Sequence, residues 1–173
     1  MFSSWFIWQR DLMNSLKVPY VVLLGNHDCL GTGREAYTKI FGPANFSFIA
    51  GNTKFVCLNT NALEFDYSEP IPDFNFIENQ LTERQDEFEK TVVAMHARPG
   101  SDVFNNNVSK VFQHYITQYP QLQFCLNAHD HRVSTDDLFD DGVIYYGSDC
   151  MKHRSYMLFT ITPDNYTYEL VNF

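Results

Sequence analysis

The amino-acid sequence predicts an α/β fold, and three features of its 173 residues support that prediction. The apolar runs Val18–Leu24, Thr91–Met95 and Leu122–Leu126 have the continuous apolarity of strands that are covered on both faces of a parallel sheet. Segments with helical spacing separate these runs. Each run ends in a polar cluster that contains histidine, and sites in open α/β sheets lie beyond the carboxyl ends of the strands.

Four segments have the spacing of helices. In Ser4–Leu16 and Phe74–Lys90 the apolar residues recur on one face, with polar or charged residues between them. Glu35–Phe41 is predicted as a short helix closed by a Gly-Pro pair, and Asn107–Tyr119 as a helix that ends before a proline. We expect these helices to flank the sheet.

Five further segments are predicted as strands. Asn45–Ile49 and Lys54–Leu58 lie on either side of a Gly-Asn pair, with the spacing of a hairpin. The C-terminal part adds Val143–Tyr146, Ser155–Thr162 and Tyr166–Val171. A Pro-Asp-Asn turn joins the last two, so they should pair antiparallel.

Composition excludes several classes of protein. The formal net charge of −9, without a stripe of Lys and Arg, argues against a nucleic-acid surface. The charge does not exclude a small phosphorylated substrate, because bound cations reverse the negative electrostatic field around them. The four cysteines form no C-x-x-C pair, and Cys57 and Cys125 are interpreted as core thiols. The acidic run at residues 136–141 is interpreted as a solvated loop.

Three polar clusters at predicted strand ends carry the chemistry. A lone histidine at a strand end is more often structural than a metal ligand, but three equivalent clusters are hard to explain in that way. Their imidazoles would meet on one rim of the sheet, where neutral nitrogen donors suit Zn, Mn or Fe. The clusters are Gly25-Asn26-His27-Asp28, His96, and Ala128-His129-Asp130-His131.

In order, spacing and strand context, these clusters resemble the last three motifs of the calcineurin-like metallophosphoesterases. The motifs of that family run D-x-H, G-D-x-x-[DN], G-N-H-[DE], H and G-H-x-H. Ala128 replaces the glycine of the last motif, and the sequence contains neither of the first two. The resemblance implies a single incomplete domain over residues 1–173. Its fold would be a sandwich of two mixed β-sheets flanked by helices, lacking the first β-α-β portion of the family.

The resemblance also implies metal ligands. Asn26, His96 and His129 would ligate one divalent metal ion, and His131 would ligate a second. In the family the two missing motifs supply the remaining ligands, including an aspartate shared by both metals. We therefore expect at most weak or partial occupancy by Mn, Fe or Zn in the chain as given.

The catalytic roles implied by the resemblance fall on His27 and Asp28. A hydroxide bridging two metals would attack phosphorus in line, with His27 as general acid or donor to the transition state and Asp28 orienting it. The reaction class is that of a phosphatase or phosphodiesterase. The alternative is a catalytically impaired fragment that acts only as a metal-binding or phosphate-binding module.

Other polar residues are weaker candidates. Three arginines have guanidinium groups that match phosphate geometry, although ion pairing is the more frequent role: Arg98, Arg132 and Arg154. Asn59 and Asn61 are interpreted as turn residues, and the role of His153 stays open.

The partner predicted for the site is a small phosphorylated substrate. No apolar stretch reaches the roughly 18 residues that span a membrane. An unpaired edge near Val18–Leu24 or Leu122–Leu126 would favour self-association. The first residues lack the features of a signal peptide, and the localisation stays open.

Overall fold

The computed structural model describes residue 7, residues 10–62 and residues 69–173. Helix α1 (Gly33–Phe41) precedes the strands of the described residues, whereas α2 (Phe74–Thr82) and α3 (Ser109–Ile116) lie between strands in the chain. The strands of the described residues are β1 (Phe46–Ala50), β2 (Thr53–Leu58), β3 (Lys90–Met95), β4 (Leu122–Asn127), β5 (Ser134–Asp137), β6 (Ile144–Gly147), β7 (Ser155–Ile161) and β8 (Tyr166–Asn172). The predicted α/β fold is confirmed.

The strands form two sheets. The larger sheet has the order β1-β2-β3-β4-β6-β5, and β7 and β8 form the smaller one. Strands β2, β3, β4 and β6 run parallel, whereas β1 and β5 pair antiparallel at the two edges. All residues of β3 are buried, as expected for a central strand covered on both faces. Both predicted hairpins, β1-β2 and β7-β8, are confirmed.

Successive residues of the central strand β3 pack into different hydrophobic layers, because side chains alternate between the two faces of a sheet. Val93 packs with Phe112 and Ile116 in the cluster between the larger sheet and the helices. Its neighbour Val92 belongs with Phe124 to the cluster that contacts β7 and β8. The larger sheet is therefore covered by helices on one face and by the smaller sheet on the other.

The prediction that Val18–Leu24 is a strand is wrong. Residues 18–24 carry no strand, and Val21 is 48% exposed instead of covered. The carbonyl of Val22 accepts a hydrogen bond from the Tyr37 hydroxyl at 2.6 Å, and that of Leu24 accepts one from a side-chain amide. Among the described residues no strand pairs with this segment, so side chains satisfy its carbonyls in place of a ladder.

Two of the predicted helices are too long. Helix α2 ends at Thr82, and Arg84 then adopts a left-handed backbone with a φ of 57°. The buried amine of Lys54 donates to the carbonyls of Gln80 and Glu83 at 2.9 and 2.7 Å, which satisfies the end of the helix. The helix predicted over residues 107–119 is a 3₁₀ turn followed by α3. Of the first predicted helix, residues 10–13 are helical, and residues 1–6, 8 and 9 lie outside the described part.

The acidic run at residues 136–141 is only partly a loop, so that interpretation is wrong for its first half. Asp136 and Asp137 belong to β5 and pair with β6. The Asp137 carboxylate accepts hydrogen bonds from the backbone N–H groups of Asp141 and Gly142, and it thereby closes the turn between the two strands. Strand β4 lies inside the sheet: it pairs with β3 on one side and, from Cys125 to Asn127, with β6 on the other, so it is not an edge strand. Self-association itself stays a prediction.

No helix in the described part of the chain has the length and apolarity needed to cross a membrane.

Candidate metal centre

Two predicted ligands meet because β3 and β4 are parallel neighbours. His96 follows the end of β3 and His129 follows the end of β4, so both lie at the same edge of the sheet. Their ring centroids are 5.2 Å apart, with the rings edge to face. The backbone N–H of Ala128 donates to the carbonyl of His96 at 3.0 Å. This bond fixes the two loops relative to each other.

A third predicted ligand comes from a distant part of the sequence. Asn26 lies at the start of a 3₁₀ turn, His27–Cys29, and is buried. Its side-chain oxygen is 3.0 Å from the Nε2 atom of His96. The structure therefore brings Asn26, His96 and His129 together, although the segment before Asn26 is not a strand.

Buried polar side chains after β2 hold these loops in place. The Asn61 amide donates to the carbonyl of Leu24 at 2.8 Å and to the side-chain oxygen of Asn59 at 3.0 Å. The hydroxyl of Thr60 accepts from the N–H of Ala97 at 3.2 Å. The interpretation of Asn59 and Asn61 as turn residues missed this supporting role, which joins segments far apart in the sequence.

Replacing Asn61 by alanine should destabilise the protein by about 1–3 kcal/mol, because the buried carbonyl of Leu24 would lose its donor. The loop that carries Asn26 would lose the same anchor, so metal affinity should fall as well. Urea unfolding followed by circular dichroism measures the first effect and calorimetric titration with Mn²⁺ the second. The exposed Asn172, replaced in the same way, should change neither. Equal stability of the two variants would contradict the supporting role.

An aspartate that sequence reasoning missed contacts the site. Asp102 lies in the loop after β3, and its carboxylate oxygen is 2.8 Å from the Nε2 atom of His129. This hydrogen bond lowers the pKa of Asp102. A carboxylate beside a ligand histidine orients the ring. The sequence signal that points to Asp102 is its position between His96 and α3, in a loop at the edge of the sheet where the candidate site lies.

The other two predicted histidines lie near the same rim. His27 and His131 are both exposed, and His131 has a left-handed backbone with a φ of 50°. Burial, with smaller contributions from the neighbouring His129, His131 and His27, lowers the pKa of His96 to about 4. The His96 imidazole is therefore neutral at neutral pH, which is the form that binds metal ions.

Comparison with known proteins identifies the family. A family model described as calcineurin-like phosphoesterase matches residues 2–133, which include all three polar clusters. The chain belongs to the calcineurin-like phosphoesterase family. No curated protein matches the chain.

The family suggests metal-dependent hydrolysis of phosphoesters, and the donor set of this phosphoesterase fits a divalent metal ion. A buried amide oxygen and a half-buried neutral imidazole face each other at 3.0 Å, and a second imidazole lies beside them. Nitrogen and oxygen donors of this kind suit Zn, Mn and Fe. Asn26, His96 and His129 are the residues that would hold the ion.

The Gly25-Asn26-His27-Asp28 turn of the phosphoesterase is tightly built. The Asp28 carboxylate accepts a hydrogen bond from the N–H of Gly25 at 3.0 Å, and burial raises its pKa. Helix α1 starts so close to this turn that a Cβ atom on Gly33 would lie 2.2 Å from the carbonyl oxygen of Asp28. The orienting role of Asp28 toward His27 stays a prediction.

The arginines of the phosphoesterase differ in their surroundings. The Nε atom of Arg98 is 3.1 Å from a carboxylate oxygen of Asp130, and its Nη2 atom is 3.7 Å from Asp136. Arg98 thus ties the loop that carries His129 to strand β5. Arg132 is exposed, and Arg154 lies over the ring of Phe173.

Proposed function

We propose that this phosphoesterase hydrolyses a small phosphorylated substrate at the rim formed by its three histidine-containing loops. The observation that carries the proposal is the cluster of Asn26, His96 and His129, which joins two parallel strands and a distant turn. Asn26, His96 and His129 would bind one divalent ion, and the exposed His131 would contribute to a second. When bound, such ions supply an activated water and stabilise the charge that develops on the phosphoryl oxygens.

His27 is the proposed acid or transition-state donor. It is exposed at the start of its 3₁₀ turn, so a bound phosphoester could reach its ring. It also lies near enough to affect the pKa of His96. Its neighbour Asp28 is anchored by the backbone N–H of Gly25, and its proposed role is to orient the His27 ring for proton donation.

The second candidate function is a metal-binding or phosphate-binding module with little turnover. It is favoured by the exposed position of His131, the residue proposed for the second ion. For the chain as given we therefore expect weak turnover of a chromogenic phosphoester with added Mn²⁺, below about 1 per second. Ordinary enzymatic rates would contradict that expectation.

Replacing His27 by alanine separates the two functions. A general acid contributes about 10²–10⁴-fold to rate, so we expect turnover to fall by about 100-fold or more while Mn²⁺ affinity stays unchanged. Turnover is followed with the chromogenic ester and metal binding by calorimetry. The control variant replaces His114, which is exposed on α3. Turnover that is unaffected by the loss of His27 would refute its role, and a complete lack of turnover in the unmodified chain would favour the module.

A further inference from the structure

A second cluster of metal-binding side chains lies beyond the end of β6. Nδ1 of His153 is 2.8 and 2.9 Å from the two carboxylate oxygens of Asp149. The thiol sulfur of Cys150 is 3.9 Å from the same nitrogen. One ligand atom from each of the three residues lies within 4.8 Å of the other two. A thiol, an imidazole and a carboxylate thus converge on one point.

The backbone holds this cluster in a defined geometry. A 3₁₀ turn, Met151–His153, places Cys150 and His153 on the same side, and the N–H of His153 donates to the carbonyl of Cys150 at 3.0 Å. The Asp149 carboxylate accepts from the N–H of Cys150 at 2.7 Å. Before this turn, the backbone N–H of Ser148 donates a hydrogen bond to the carbonyl of Asn127, the last residue of β4. The three donors are therefore oriented before any ion binds, which reduces the entropic cost of binding.

The cluster is accessible as well as ordered. The side chain of His153 is 54% exposed and that of Asp149 16% exposed, while Cys150 is half-buried. Cys57 and Cys125 differ, because both are buried and burial raises the pKa of each thiol, that of Cys57 to about 12. An ion from solvent can therefore reach the Cys150 thiol far more easily than those of Cys57 and Cys125.

We propose that Asp149, Cys150 and His153 form a second metal site that binds Zn²⁺ or a similar cation, independently of the histidine rim. Three protein ligands of mixed S, N and O type leave a fourth tetrahedral position for water. Binding releases the thiol proton: Cys150 gives it up to solvent as its sulfur ligates the ion. His153 binds through the unprotonated Nδ1 of the neutral ring, whose proton then lies on Nε2, and the Asp149 carboxylate ligates the ion in place of its contact with that nitrogen. Affinity for Zn²⁺ therefore rises with pH. Thiolate selects Zn²⁺ and Co²⁺ over the harder Mn²⁺.

Titration with Co²⁺ tests the proposal, because a thiolate ligand gives a near-ultraviolet charge-transfer band that imidazole and carboxylate ligands do not give. We expect the band in the unmodified protein and in the His96→Ala variant. Cys150→Ser should abolish it, and His153→Ala should weaken Co²⁺ binding by about 10-fold or more. A missing band in the unmodified protein, or a band that persists in Cys150→Ser, would overturn the site.

A second measurement needs no variant. Alkylation of Cys150, located by mass spectrometry, should become at least about 10-fold slower when Zn²⁺ saturates the site, because the metal-bound thiolate is a poor nucleophile. Mn²⁺ at the same concentration should give little protection. An alkylation rate that Zn²⁺ leaves unchanged would show that Asp149 and His153 form only a surface ion pair.

Discussion

Replacing His96 by alanine is expected to weaken Mn²⁺ binding at the histidine rim by about 100-fold or more. Even the loss of an outer-shell partner of a metal ligand costs about 10–100-fold, and His96 lies at the centre of the predicted ligand set. Its Nε2 atom faces the Asn26 oxygen at 3.0 Å, and its ring is 5.2 Å from that of His129. Calorimetric titration with Mn²⁺ measures the change directly, without relying on turnover.

Three further variants make this experiment decisive. His129→Ala removes the neighbouring donor from a more open position, and it should also weaken Mn²⁺ binding. It therefore tests the rim independently if His96→Ala lowers the stability of the protein. The double variant should lose little more than either single one, because both side chains act on the same ion. His114→Ala, outside the rim, should bind Mn²⁺ like the unmodified chain. Unchanged affinity in both His96→Ala and His129→Ala would exclude the rim as the metal centre.

Replacing Phe124 by alanine should destabilise the protein by about 3–5 kcal/mol. Phe124 is only 1% exposed and lies on β4, on the face that packs against the smaller sheet. Its ring centroid is 4.7 Å from that of Phe159 on β7 and 4.5 Å from that of Tyr166 on β8. The substitution would leave a cavity between the two sheets. Urea unfolding monitored by circular dichroism gives the free energy of unfolding.

The matched control for this variant is Phe173→Ala. Phe173 is an aromatic residue of the same size, but it is 56% exposed at the end of the chain, so its replacement should cost less than about 0.5 kcal/mol. A similar, small loss for both variants would mean that the two sheets do not depend on Phe124 for their contact. Such a result would contradict the packing described above.

The rim is supported by contacts that do not come from its own motifs. Thr60 and Asn61, which follow β2, bind the backbone after His96 and before Asn26. Sites need such supporting contacts because small displacements of donor groups weaken metal binding. Three neighbouring parallel strands therefore contribute to the geometry of the rim. Strands β3 and β4 carry the loops with His96 and His129, and the residues after β2 anchor the loops with His96 and Asn26.

That His96 and His129 would lie close together was predictable from the sequence, because it follows from local motif order and strand context. Two of the three clusters directly follow apolar strands, and parallel strands that are neighbours end at one edge. Asp102 was not predictable, because its contact with His129 joins residues of two different loops. The cluster around His153 was also not recognised, since only the folded turn brings its Nδ1 atom to Asp149 and Cys150.

By itself, the sequence determined the α/β class, the strands β3 and β4, both hairpins and the histidine clusters, because apolar periodicity and turn residues are local properties. Only the tertiary structure decided which segments pair with another segment to form strands. Val18–Leu24 is as apolar as β3 but forms no strand, whereas the polar Ser134–Asp137 becomes β5. The physical reason is that a strand exists through hydrogen bonds to another segment, and no local pattern encodes that neighbour.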